Sequence, residues 1–133
     1  MNNDEKWMQV AIEQALQAEK EGEVPVGAIM INDGRLIAKA YNQPISRNDP
    51  TAHAEIQALR LAGEIQKNYR LVGSTLYVTL EPCAHTGETP PCVDSLIKAG
   101  VKKVVIATID PDPRVAGRYH IRASFHAQLQ NEQ

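Results

Sequence analysis

Four residues have the types and spacing to do chemistry: His53 and Glu55 in Pro50-Thr51-Ala52-His53-Ala54-Glu55, Cys83 after Glu81-Pro82, and Cys92 nine positions further on. They supply one imidazole, one unattached carboxylate and two thiolates. A catalytic zinc takes three protein ligands and keeps a fourth position for water, whose pKa falls to roughly 7. His53, Cys83 and Cys92 provide the three ligands, which releases Glu55 to move protons. Two thiolates offset the charge of the ion. If Cys92 opens a helix, the helix dipole favours its thiolate by a further 0.3–1 kcal/mol or about that. Each piece alone has an ordinary reading, since a lone histidine on a helix is usually structural and two such cysteines are most often unrelated buried residues. The conjunction is what points to catalytic zinc. The competing arrangement, a closed structural zinc, needs a fourth ligand, and His85 is available to supply it.

The elements that must position these residues follow from periodicity. Over residues 4–21, Trp7, Met8, Ala11, Ile12, Ala15 and Leu16 recur at three- and four-residue spacing, which predicts an amphipathic helix closed by Gly22. Val24 to Ile31 and Arg35 to Tyr41 flank Asn32-Asp33-Gly34 and predict a β-hairpin. Asn42 to Pro50 reads as a loop leading into a second helix, with Asp49 or Thr51 available as its cap and His53 and Glu55 in its first turn. Ser74 to Leu80 and Val101 to Thr108 are apolar on both faces and read as buried, parallel strands joined by a short helix from Pro91 to Ala99. Asp110-Pro111-Asp112-Pro113 must be irregular. Beyond Ala116, Ile121, Ala123, Phe125, Ala127 and Leu129 alternate with a strand period, and a frayed helix is the equal alternative. The element order predicts one domain spanning residues 1–133, an α/β fold with a mixed central sheet between helix layers.

Composition narrows the function class. With 133 residues, 43% of them hydrophobic, the chain can bury one sizeable core. A formal net charge of −2 does not by itself demand a nucleic-acid partner. The charge is uneven: residues 1–25 carry six acids against two lysines, and residues 95–133 carry six Lys/Arg against three acids. No apolar run approaches the roughly 20 residues of a membrane span, and the polar start is unlike a signal peptide, so a cytoplasmic location is expected. In a reducing compartment the two cysteines serve a metal or chemistry rather than a disulfide.

His53-Ala54-Glu55 together with Pro82-Cys83 and Cys92 resembles the zinc-dependent nucleoside and nucleotide deaminase family. Residues 7–83, through Glu23-Val24-Pro25-Val26-Gly27-Ala28, Tyr41-Asn42-Gln43-Pro44-Ile45, Asn48-Asp49-Pro50-Thr51-Ala52-His53-Ala54-Glu55 and Asn68-Tyr69-Arg70-Leu71, are similar to the bacterial tRNA adenosine deaminases. From Glu81 to Cys92, and again through Ala99-Gly100-Val101 and Asp110 to Arg118, the chain is similar to the deaminase domain of riboflavin biosynthesis, in which the longer cysteine spacing is normal. The sequence therefore reads as a hybrid with one zinc site common to both halves.

The resemblance implies a three-layer α/β/α cytidine deaminase-like fold, one zinc per chain, and hydrolytic deamination with Glu55 as proton carrier. It implies a substrate pocket in which Asn42 hydrogen-bonds the nucleoside, Val24 and Pro25 form an apolar wall, and Ala54 N–H and the carbonyl near Leu80 or Glu81 orient the base. The substrate expected from the first half is an unpaired adenosine in a tRNA anticodon loop, converted to inosine. The second half implies a ribosylaminopyrimidine phosphate, with His85, Thr89, Asp110 and Asp112 around its ribose phosphate. A zinc scaffold or RNA-binding module without catalysis is the third reading, and the intact Glu55 argues against it. Both families lead to the expectation of a further strand that this chain lacks, leaving the sheet edge at Val101–Thr108 open or paired with a second copy in a homodimer.

Overall fold

The computed structural model describes residues 3–79, 92–109 and 119–125. The first helix, α1 (Asn3–Lys20), opens with Asp4 and Glu5, whose charges complement the helix dipole, and buries Met8, Ala11, Ala15 and Ala18 along one stripe. Gly22, at φ +78°, ends it in a Schellman motif in which Glu23 N–H donates to the Ala18 carbonyl at 3.0 Å. The expected hairpin follows as β1 (Gly27–Asn32) and β2 (Arg35–Tyr41). Its two-residue turn uses Asp33 and Gly34 with φ of +52° and +72°, the left-handed pair that matches the twist of the strands. Met30 faces Ala38 and Ile31 faces Leu36, so the register shift leaves Ile37 as the extra residue of a bulge.

The chain continues through α2 (Ala54–Gln66), β3 (Thr75–Val78), α3 (Cys92–Lys98), β4 (Lys103–Ile109) and β5 (Tyr119–Phe125). The sheet order is β2-β1-β3-β4-β5. As expected, β3 and β4 are parallel with α3 in the crossover; the other neighbours are antiparallel. Strand alternation divides the core into two layers. Ala28, Met30, Leu76, Val78, Val104 and Ile106 face α2 and α3 through Ala54, Ala58, Ala62, Leu96 and Ala99. Ile29, Ile31, Tyr77, Val105 and Ala107 face α1 through Met8 and Ala11. The three-layer α/β/α arrangement with a mixed sheet is thus the one expected. Each fully buried Met, Ile or Leu in these layers contributes roughly 1.5–3 kcal/mol.

Gly27 determines how closely α1 approaches. A Cβ there would overlap the Ala11 carbonyl and lie 2.6 Å from the Ala15 nitrogen, so only glycine admits the helix backbone at this point.

Two expectations need correction. The edge at β4 is neither open nor short of a strand: β5 pairs with it antiparallel, with Ala107 opposite Ile121 and Thr108 opposite His120. The alternation of Ile121, Ala123 and Phe125 was a genuine strand period, and the reason for expecting a homodimer at that edge disappears with the open ladder. Second, neither Asp49 nor Thr51 caps α2. The helix starts at Ala54, too far along for either side chain, and Asp49 instead accepts from Thr51 N–H at 2.8 Å and from the Thr51 hydroxyl at 2.7 Å.

Candidate active site

The chain brings the start of α2 and the start of α3 to one end of the sheet. Tyr41, the last residue of β2, pairs with Gly27, the first of β1. Thr79, just past β3, donates its N–H to the Gly27 carbonyl and accepts the Gly27 N–H on its hydroxyl, each at 3.0 Å. The carboxyl ends of β3 and β2 therefore flank the start of β1 at the same end of the sheet. Because α3 returns the chain between parallel strands, Cys92, its first residue, belongs to this end. The start of α2 is tied there too: Gln43 N–H donates to the Ala52 carbonyl at 2.9 Å, and Gln57 Nε2 donates to the Tyr41 carbonyl at 2.6 Å. The carboxyl ends of strands are the usual place for ligand sites in α/β sheets.

His53 is the N-cap of α2, with φ −72° and ψ 151°, yet its side chain makes no capping hydrogen bond. The first helical N–H, that of Ala54, donates instead to Asn42 Oδ1 at 2.9 Å, a buried bond from a residue twelve positions earlier. Capping by Asn42 keeps the imidazole from being consumed by the helix end. Glu55 is buried in the first turn, with its side chain 7% exposed against 34% for His53, and its Oε1 lies 3.8 Å from His53 Nδ1. An imidazole that does not cap its helix, with a buried carboxylate beside it, fits the pairing of a ligand with a proton carrier that a catalytic zinc uses, and α3 begins at Cys92 at the same end of the sheet. Among the described residues no three His, Cys, Asp or Glu side chains gather into a full ligand set. Cys83 lies outside those residues, as do Leu80, His85 and Thr89.

The remaining described residues expected at the pocket differ in kind. Val24 and Pro25 are exposed, Val24 at 59%, rather than packed into a strand edge. Asn42 is buried, and its Oδ1 is engaged with Ala54. The N–H expected to orient a base is thus already bonded. A cavity of about 410 Å³ between β2 and α2, lined by Lys39, Arg47, Asp49 and Arg60 among others, contains neither His53 nor Glu55 and is not this site.

One residue of consequence was not anticipated. Glu23 is only 6% exposed, and its carboxylate accepts from Ser46 N–H at 2.7 Å and from Ile45 N–H at 3.2 Å. Burial pushes its pKa up, but the two N–H donors together with the Ser46 side chain outweigh it and hold the carboxyl below the usual glutamate range. Nothing local in the sequence marks it, because its partners lie more than twenty positions away. Across the same loop, the Thr51 hydroxyl and N–H hold the Asp49 carboxyl below its ordinary range, and Arg60, 3.5 Å away, adds to this.

Residues 1–108 match the model of the cytidine and deoxycytidylate deaminase zinc-binding region. The chain is 48% identical over 104 residues to the tRNA-specific adenosine deaminase of Buchnera aphidicola, covering 78% of this chain and 65% of that protein. It is 50% identical over 93 residues to the riboflavin biosynthesis protein RibD of Escherichia coli, covering 70% of this chain and 23% of that one. The chain thus spans less than two thirds of either relative. A solved structure from a study of A-to-I editing by tRNA:A34 deaminases superposes with a TM-score of 0.70 at 39% identity, over 79% of this chain and 72% of that one. Among the described residues no helix is long and apolar enough to cross a membrane. With a buried Glu55 beside His53, Cys92 opening α3 and a family model covering most of its length, this chain belongs to the cytidine and deoxycytidylate deaminase zinc-binding family.

Proposed function

We propose that this chain deaminates a nucleobase hydrolytically, with adenosine in a tRNA anticodon loop as its substrate and inosine and ammonia as products. The pairing of His53 with a buried Glu55 at the start of α2 carries this reading. His53, Cys83 and Cys92 would hold one zinc ion. When bound, zinc supplies a water acidified enough to act as nucleophile near neutral pH.

The chain's own groups do the rest. The Glu55 carboxylate takes one proton from the attacking water and gives it to the ring nitrogen beside the amine-bearing carbon; it then takes the second, from the hydroxyl now on that carbon, and gives it to the amine, which leaves as ammonia. Its burial keeps that proton from exchanging with bulk solvent. With Oδ1 held by Ala54, Asn42 offers its Nδ2 amine to the nucleoside, so the orienting donor is Asn42 rather than Ala54 N–H. Val24 and Pro25 give the pocket an exposed apolar wall. The similarity of residues 7–83 to tRNA adenosine deaminases favours an RNA substrate, which would enter unpaired or flipped from a loop.

The cysteine spacing favours a second reading, deamination of a ribosylaminopyrimidine phosphate, with His85, Thr89, Asp110 and Asp112 around its ribose phosphate and the carbonyl near Leu80 or Glu81 orienting the base in either reading. Ammonia release from zinc-loaded protein separates the readings when it is followed with an anticodon stem-loop, with single-stranded DNA containing A or C, and with the pyrimidine phosphate. Release from the stem-loop is expected. Release from the pyrimidine phosphate alone would replace the first reading with the second, and tightly bound zinc with no release from any substrate would favour a scaffold.

A further inference from the structure

The loop 43–52 carries the chain from Asn42 to His53, and its own packing does not fix its position. No residue from 43 to 51 is buried, and its one large apolar side chain, Ile45, is 71% exposed. Apart from Ala52 at its end, which is fully buried, hydrophobic burial does little to set its place, and polar tethers do. Gln57 Nε2 of α2 donates to Gln43 Oε1 at 3.1 Å, and three further tethers hold the rest. Gln43 N–H and the Ala52 carbonyl close its base. Asp49, through Thr51 and Arg60, fastens its end to α2. The third reaches in from outside: Glu23 Oε2 accepts from Ser46 N–H and Oε1 from Ile45 N–H.

Glu23 is placed by α1. It is the residue after Gly22 in the Schellman motif, and its own N–H is bonded to the Ala18 carbonyl. Among the described residues no cation pairs with it. A carboxylate that stays buried without a cation must be satisfied by hydrogen bonds, and here they come from the loop, through the Ile45 and Ser46 N–H groups and the Ser46 side chain. Each of the two successive N–H donors uses a different carboxylate oxygen; an amide in the same pose would accept from one and present its own NH₂ to the other.

We propose that Glu23 is a positioning residue for the candidate active site: fixed by the end of α1, its carboxylate holds the loop so that Asn42 meets the first N–H of α2. The C-terminus of one helix then determines the N-terminus of the other, which carries His53 and Glu55. The kinetic part of this claim rests on the deaminase reading, whereas the structural part does not.

Amide hydrogen exchange on the full-length chain tests the structural part, comparing Glu23→Ala and Glu23→Gln with the wild type. In Glu23→Ala the Ile45, Ser46 and Ala54 amides are expected to exchange at least about tenfold faster, as loss of charge-assisted bonds predicts. The β1 and β3 amides should keep their protection. Glu23→Gln should be intermediate, and it decides the question if the alanine variant does not fold. With the anticodon stem-loop as substrate, kcat/KM should fall at least about tenfold, KM rising as Asn42 loses its place and kcat falling as the first turn that carries Glu55 loosens. Glu23→Gln should lose less of both than Glu23→Ala. Ala54 exchange at the wild-type rate in both variants would overturn the proposal, as would wild-type kcat/KM in a variant whose Ala54 amide exchanges faster. If the wild type releases ammonia from no substrate, the functional reading falls and Ala54 exchange still decides the role of Glu23.

Discussion

The two long helices flanking the sheet end in opposite ways. The end of α1 is self-contained: Gly22 takes the left-handed conformation and Glu23 N–H returns to the helix's own carbonyl. The start of α2 is capped from outside, by Asn42, although His53 occupies the cap position. A helix whose task is to cover the sheet can spend its terminal residues on its own end. The helix whose first turn holds the proposed catalytic pair does not, and another segment satisfies its orphan N–H. The dependence has a cost: the geometry of His53 and Glu55 is only as firm as the loop that delivers Asn42.

The sharpest way to break this comparison is one substitution on each helix's side. Glu55→Ala should lower turnover by about 10²–10⁴-fold, the usual contribution of a positioned proton carrier, and leave zinc content intact. Its melting temperature should be unchanged or higher, since a buried carboxylate is removed. Gly27→Ala should do the reverse. Its Cβ would overlap the α1 backbone at Ala11, and relieving that overlap costs on the order of 3 kcal/mol, measured by urea unfolding. The zinc bound per folded molecule should not change. If Gly27→Ala abolished activity in protein that remained folded, the separation between scaffold helix and site helix would be wrong.

The same division governs what could be read from the sequence. Elements with strong periodicity were legible. Met8, Ala11 and Ala15 mark α1, Asp33-Gly34 marks the hairpin, and the apolar runs at 74–80 and 101–108 give the parallel pair. His53 and Glu55 were legible because a short motif holds both. Asn42 was assigned to the nucleoside through resemblance, but its bond to Ala54 was invisible, because a cap supplied from twelve residues away leaves no local pattern. Asp49 and Thr51 looked like caps because they are the right residue types just before a helix. Only the true start at Ala54 shows them serving the loop instead. The open edge was inferred from what two families share, against the alternation of residues 121–125, and the local period proved the better guide.

Asn42 is where stability and site geometry meet, so its variants sharpen the comparison. Asn42→Ala removes the acceptor for Ala54 N–H in a buried setting and should destabilise the protein by about 1–2 kcal/mol. Asn42→Asp keeps an acceptor at that position and should retain most of the stability while losing the Nδ2 donor. Under the proposed mechanism both variants lose activity, while only the alanine variant melts markedly earlier. Equal melting temperatures for the two would mean that the Ala54 bond contributes little and that α2 is held by its buried alanines alone.

The smallest effect concerns the carboxylates linking the two helices. Hydrogen bonds from Tyr41 and Gln17 lower the pKa of Glu21; burial raises that of Glu23 but its Ser46 and Ile45 donors prevail; Thr51 lowers that of Asp49. Each group binds its proton more weakly folded than unfolded, so the unfolded chain takes up more protons in this range and stability rises with pH. The contribution is fully present above the ordinary values of 4.5 for glutamate and 3.8 for aspartate, and is lost as pH falls through the lower folded values. Melting temperature should therefore decline on acidification below about pH 5, and less steeply in Glu23→Gln, which has no proton to gain at that position. The difference in slope should be smaller than the effect of Asn42→Ala and should shrink in high salt for Asp49, whose Arg60 partner is exposed. An acid limb identical in wild type and Glu23→Gln would mean that the Glu23 carboxylate titrates as it does in the unfolded chain. Its bonds to Ser46 and Ile45 would then be too weak to anchor the loop to α1.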